Sequence, residues 1–66
     1  MSRMYNTSTR LGREMAAQNW TLADFAAATG VNARTISDYL AGRKVMLAEH
    51  LWSFADVLGV EDGEIG

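Results

Sequence analysis

Two short segments with apolar patterning meet in the stretch TLADFAAATGVNARTISDYLAG, Thr21 to Gly42. Each segment begins after a residue type that caps helices, Thr21 or Asn32, and each is followed by a glycine, Gly30 or Gly42. The side-chain oxygens of Thr and Asn accept hydrogen bonds from the free amides of a first helical turn, and glycine adopts the left-handed backbone that ends a helix. The stretch therefore predicts two helices, about 21–29 and 32–41, joined by a turn of a few residues.

The two predicted helices differ in what they expose. In the first, Trp20 and Phe25 flank the cap as a hydrophobic staple, and Asp24 lies three residues after Thr21, as in an acidic variant of the capping box. The second has an inward stripe at helical spacing and, opposite it, an outward stripe of short or polar side chains. The inward residues are Ile36, Tyr39 and Leu40, and the outward residues are Ala33, Arg34, Ser37 and Asp38. A purely structural exposed face would more often carry Lys and Glu.

The flanking sequence predicts further helices and no strand. A first helix is expected from about residue 7 to 18, with Leu11 and Met15 facing inward and Asn19 ending it. Another is expected over 47–58, followed by Gly59 and by one last turn that buries Ile65. Residues 1–6 read as a flexible arm. The fold class is therefore all-α, a compact bundle of four to five helices over residues 7–66.

Composition excludes several kinds of site. The 66 residues contain no cysteine, so a disulfide or a thiolate metal site is ruled out. His50 is the one histidine, no set of nucleophile, base and orienting residue is visible, and no glycine-rich phosphate loop occurs. We expect no enzyme, no cofactor and no metal. No apolar run approaches a membrane span, so a cytoplasmic protein is expected.

The charges are divided along the chain. Residues 1–44 carry all six cations against three carboxylates, a net +3, and residues 45–66 carry five carboxylates and neither Lys nor Arg, a net −5. The total of −2 is therefore a poor guide to the surface. This division indicates one face for an anion and another turned away from it, although an ordinary solvated surface would explain it equally well.

A tight joint between two helices lets the second one project from the body of the domain. An α-helix fits the major groove of B-DNA, and the first residues of a projecting helix reach the base edges. Short outward side chains permit that approach, and the helix N-terminus favours phosphate. The stretch thus predicts contact with duplex DNA.

The same residues resemble the helix-turn-helix of the lambda-repressor/Cro-type family, also called XRE-type. The matching features are the cap Thr21, the pair Phe25–Ala26, Gly30 in the turn, Ile36 in the next helix and Gly42 after it. The similarity continues through LWSFADVLGV and covers roughly Leu11 to Ile65. At the positions where many phage repressors of this family pair an Arg with a Glu, this chain has Met15 and Leu40, as expected where packing replaces an ion pair.

The resemblance implies which residues contact DNA. The base-facing positions are Ala33, Arg34, Ser37 and Asp38. The expected backbone contacts are Thr21 and Leu22 through their amides, then Asn32, Thr35, Arg43 and Lys44. Arg34 is the strongest base-reading candidate, because a guanidinium bonds both acceptors of guanine. Asp38 would either accept from a cytosine amino group or pair with Arg34 one turn away.

The expected partner is an operator-like duplex, and the expected function is a phage-type repressor. Two alternatives stay open: an antitoxin-like or adaptor module that binds protein, and an accessory protein of excision or recombination. Trp52 is either the edge of the core or an interface residue. A homodimer and an additional C-terminal domain are both open.

Overall fold

The computed structural model describes residues 9–66, and this range forms five helices without a strand. They are α1 (Arg10–Ala17), α2 (Leu22–Thr29), α3 (Ala33–Leu40), α4 (Ala48–Leu58) and α5 (Asp62–Ile65). The predicted all-α fold class is confirmed, and each helix lies within two or three residues of its predicted bounds. The expected arm, residues 1–6, lies outside the described residues.

The start of α1 corrects the prediction. Thr9 has an extended backbone, with φ −84° and ψ 158°, and its Oγ1 accepts from the amide of Gly12 at 3.0 Å. Since Thr9 is the cap, helical geometry begins at Arg10 and not near residue 7. The end agrees with expectation. Asn19 has φ 61°, and the Trp20 amide after it donates to the Met15 carbonyl at 2.9 Å. The left-handed Asn and this backward bond are a Schellman ending.

The joint between α2 and α3 is built as its caps predict. Thr21 Oγ1 accepts from the Asp24 amide at 3.1 Å, and Asn32 Oδ1 accepts from the Arg34 amide at 2.8 Å. Between the helices Gly30 has φ 73°, and a Cβ added there would meet nothing within 4 Å. Backbone conformation, and not space, is therefore what requires glycine at this position.

The staple before α2 also forms. The rings of Trp20 and Phe25 meet edge-to-face with their centroids 5.4 Å apart. Phe25 is completely buried and lies 5.2 Å from the ring of Phe54 on α4. Trp20 is partly buried against the core. This chain of rings connects the entry of α2 to the centre of the domain.

One hydrophobic core joins all five helices. Met15 and Leu40, the pair that replaces an ion pair in the family resemblance, are both within 1% of complete burial. Ile65 on α5 is buried as predicted, and Leu51 on α4 is partly buried against the core. The buried set is Leu11, Met15, Phe25, Val31, Ile36, Tyr39, Leu40, Phe54, Ala55, Leu58 and Ile65. Burial of a large aliphatic or aromatic side chain contributes about 1.5–3 kcal/mol, so this set stabilises the position of every helix.

A polar contact adds to the core between α3 and α4. The hydroxyl of Tyr39 hydrogen-bonds Nδ1 of His50, and the His50 ring stacks beside Phe54 with an interplanar angle of 22°. Tyr39 itself is buried and meets Phe54 edge-to-face at 5.9 Å. His50 therefore has a structural partner. The buried face of α3 contacts α4 through both aromatic packing and a hydrogen bond.

Candidate nucleic-acid interface

The outward side of α3 carries the four predicted base-facing residues. Ile36, Tyr39 and Leu40 are buried, and helical geometry places the outward stripe on the opposite side. Of the stripe, Arg34 is exposed, whereas Ala33, Ser37 and Asp38 are half-buried. The helix thus presents one long flexible cation among three shorter side chains. Such a surface allows a close approach by a large ligand.

The N-terminal end of α3 combines two features that suit an anion. Asn32 caps the helix through its side-chain oxygen alone. The side-chain NH2 group of Asn32 is not used in this cap and can donate to an anion. The first amides of an α-helix have no partner within the helix, and the helix dipole is positive at this end. Arg34 lies in the same turn, is exposed and forms no ion pair within the described range. This end of α3 is therefore electropositive.

The N-terminal end of α2 also has backbone amides without a partner inside the helix. Thr21 is exposed and its hydroxyl oxygen is already used in the cap, while Leu22 is half-buried. Any contact to phosphate from these two residues would therefore use their backbone amides, as the resemblance implies. Thr35, the remaining candidate on α3, is half-buried on the flank of the helix.

Asp38 is paired differently from the sequence prediction. Its Oδ1 lies 3.2 Å from Nη1 of Arg43 and its Oδ2 lies 3.6 Å from Nζ of Lys44. The alternative in which Asp38 pairs with Arg34 one turn away is not what the structure contains. Arg43 and Lys44, the two cations expected to contact the DNA backbone, therefore both pair with the carboxylate of Asp38.

The turn that brings Arg43 and Lys44 close to Asp38 follows α3 and is a second Schellman ending. The Gly42 amide donates to the Tyr39 carbonyl at 3.1 Å, and the Arg43 amide donates to the Asp38 carbonyl at 2.9 Å. Gly42 has φ 73°, which reverses the chain so that residue 43 returns to residue 38. The signal for this pairing was present in the sequence. A glycine directly after a helix predicts the backbone bond between the next residue and the one five positions earlier.

The division of charge along the chain is not a simple division of the surface. Arg10 belongs to the basic part of the sequence, yet its Nη1 donates to the carbonyl of Gly63 at 3.2 Å. It therefore lies against α5, among the acidic residues of the chain end. Its position in the sequence does not indicate this contact, because it arises from the packing of α1 against α5 in the fold. Arg13 is exposed on α1, and Arg3 lies outside the described residues.

Trp52 lies on the surface. It is 59% exposed, and Leu47 and Val45, which precede it, are 59% and 91% exposed. Most of the Trp52 side chain is therefore exposed, and Trp52 is not among the buried residues of the core. The name apolar strip is used here for these three residues because they lie near one another in sequence. An interface role for Trp52 stays a prediction.

Within the part of the chain that the structure describes, no group of three or more potential metal ligands is present. In the same part, no helix has the length and apolar character needed to cross a membrane.

Comparison with known proteins agrees with the geometry. A family model described as helix-turn-helix matches residues 10–65, which is most of the chain and includes both α2 and α3. No curated protein and no solved structure matches significantly. The match, the two capped helices around Gly30 and the five-helix fold lead to one conclusion. The chain belongs to the XRE-type, lambda-repressor/Cro-like family of DNA-binding helix-turn-helix domains.

Proposed function

We propose that the chain is a sequence-specific transcriptional regulator, a repressor of the phage or prophage type that reads the major groove with α3. One observation carries the proposal. The face of α3 opposite the core presents an exposed Arg34 among half-buried short side chains, at an electropositive helix end. The exposed face of a helix with only a structural role would more often carry long Lys and Glu side chains.

The proposal assigns separate roles along the joint. Arg34 reads a guanine through its O6 and N7 acceptors, with Ala33 against a thymine methyl and Ser37 beside it as donor or acceptor. Phosphates flank this contact, bound at one side by the amides of Thr21 and Leu22. Asn32, Thr35, Arg43 and Lys44 bind the remaining phosphates. The phosphate contacts fix the register, and the base contacts choose the sequence.

Selection of bound sequences from a random duplex pool tests this function. A reader of the groove enriches a short motif, and a salt titration on that motif shows log K falling with log salt. A palindromic motif with half-sites about one helical turn apart would indicate a homodimer. A single asymmetric site would indicate a monomer or an additional DNA-binding domain. No enrichment, together with no binding to mixed duplex at low salt, would remove the DNA-binding proposal.

One observation favours a second candidate, a module that binds protein in the manner of an antitoxin or adaptor. The net charge is −2 and residues 45–66 are strongly acidic, which opposes a polyanion at that end. The salt titration separates the two functions, because protein binding by the apolar strip would respond weakly to salt. An accessory role in excision or recombination would instead appear as DNA bending by the bound domain.

A further inference from the structure

The carboxylate of Asp38 sits between the two cations that follow α3. Only 19% of its side chain is exposed, and each of its oxygens faces a different cation, at 3.2 Å for Arg43 and 3.6 Å for Lys44. In this structure both oxygens face cations of the same chain, although each oxygen keeps a further lone pair. Its role in this structure is therefore directed at its own chain.

The backbone maintains this arrangement. The Arg43 amide donates to the Asp38 carbonyl, and Gly42 supplies the left-handed residue that this bond requires. Residues 38 and 43 would thus stay adjacent even without the ion pair. A substitution of the carboxylate consequently removes its charge while leaving the turn in place.

The cations themselves remain open to an external anion. The side chains of Arg43 and Lys44 are 67% and 49% exposed. Exposed ion pairs contribute little stability, so a phosphate group can displace the carboxylate from either cation at small cost. A carboxylate that stays near the incoming phosphate also repels it.

We propose that Asp38 is a positioning residue, which holds Arg43 and Lys44 at the end of α3 and limits their attraction for the DNA backbone. This inference rests on the proposed DNA-binding function. Phosphate contacts carry no sequence information, so the limit applies alike to duplexes of any sequence. Asp38 thereby lowers the affinity for the motif and for random duplex by the same factor, and the choice of sequence stays with Arg34 and its neighbours.

Asp38→Asn, compared on the selected motif and on a random duplex, tests the inference. We expect the affinity for both duplexes to rise by about fivefold at low salt, as expected when a charge about 5 Å from a phosphate is removed in water. The slope of log K against log salt should become steeper by roughly 1, since the carboxylate no longer offsets one of the phosphate-binding cations. Weaker binding to the motif alone would overturn the inference and indicate a base contact by Asp38.

Two further variants make the result specific. Asp56→Asn removes the same charge from the exposed side of α4, where the described residues give it no ion pair, and should change affinity less than about twofold because screening weakens distant charges. In a chain that already carries Arg43→Gln and Lys44→Gln, Asp38→Asn should raise affinity by a smaller factor than in the unmodified chain, because only the direct repulsion of phosphate by the carboxylate remains. An equal gain in all three comparisons would overturn the inference in favour of a net-charge effect.

The outcomes also separate this inference from the function on which it rests. If the unmodified chain binds duplex and Asp38→Asn binds no more tightly, the positioning role is overturned and the DNA-binding function stands. If the unmodified chain binds neither duplex at low salt, both are overturned. Circular dichroism of each variant establishes that the helices are intact.

Discussion

The Tyr39 hydroxyl is hydrogen-bonded to Nδ1 of His50, which ties the buried side of α3 directly to α4. The two residues are eleven positions apart and both rings pack on Phe54. The position of the outward face of α3 therefore depends in part on this bond and on the packing of Tyr39 against Phe54.

Tyr39→Phe should reduce the free energy of unfolding by about 1 kcal/mol, because it removes one hydrogen bond and keeps the ring. For a domain of this size that corresponds to a fall in Tm of about 4–8 °C. Thermal unfolding followed by circular dichroism measures it. A double-mutant cycle with His50→Leu isolates the bond, and two losses that add to within about 0.3 kcal/mol would mean that it contributes nothing.

Gly30→Ala should destabilise the domain by about 1–2 kcal/mol, because an L-residue is strained at φ 73° although its Cβ would meet no atom. Chemical denaturation gives the value. Gly63→Ala is the matched control, since Gly63 has no left-handed φ and its Cβ position is equally open. If both substitutions cost the same, the left-handed backbone would not be what requires glycine at position 30.

Arg34→Ala should cost about 1–3 kcal/mol of discrimination at one or two base pairs of the selected motif. Lys44→Ala should weaken binding to all sequences alike and lower the salt slope by roughly 1, as expected for a phosphate contact. Fluorescence anisotropy on the motif, its single-base variants and a random duplex measures both. Equal losses on the motif and the random duplex for Arg34→Ala would contradict its base-reading role.

Trp52→Ser tests the interface prediction. Because Trp52 is 59% exposed, the substitution should change the free energy of unfolding by no more than about 0.5 kcal/mol. If two copies meet at the apolar strip, it should also weaken self-association in sedimentation equilibrium, whereas Trp52→Phe should retain most of it. Unchanged self-association in Trp52→Ser, or a chain that is monomeric throughout, would contradict the prediction.

The starts and ends of most helices in this domain follow from local chemistry that the sequence shows directly. Thr21 and Asn32 begin helices because their side chains reach the first free amides, and Asn19, Gly30 and Gly59 end them because they tolerate a left-handed backbone. These effects act within a few residues, so no tertiary information is needed to predict them. The same applies to the burial of Ile36, Tyr39 and Leu40, which their spacing on a helix determines.

The errors have an equally physical origin. Charge counted along the chain assigns Arg10 to the basic part of the sequence, whereas packing of α1 on α5 places its side chain at the carbonyl of Gly63, beside the acidic residues. One-turn spacing suggested a pair between Arg34 and Asp38, whereas the reversal at Gly42 brings Arg43 to that carboxylate. The sequence left Trp52 open between the edge of the core and an interface, and only the packing of α4 against the other helices decides that it is 59% exposed.

The sequence by itself therefore determined the helices, their ends and the outward stripe around Arg34, because caps, glycines and periodicity act over one or two turns. Only the tertiary structure decided which charges meet. Ion pairs and exposure depend on where separate helices come to lie. That position results from the shared burial of eleven core side chains, ten from the five helices and Val31 from the turn between α2 and α3.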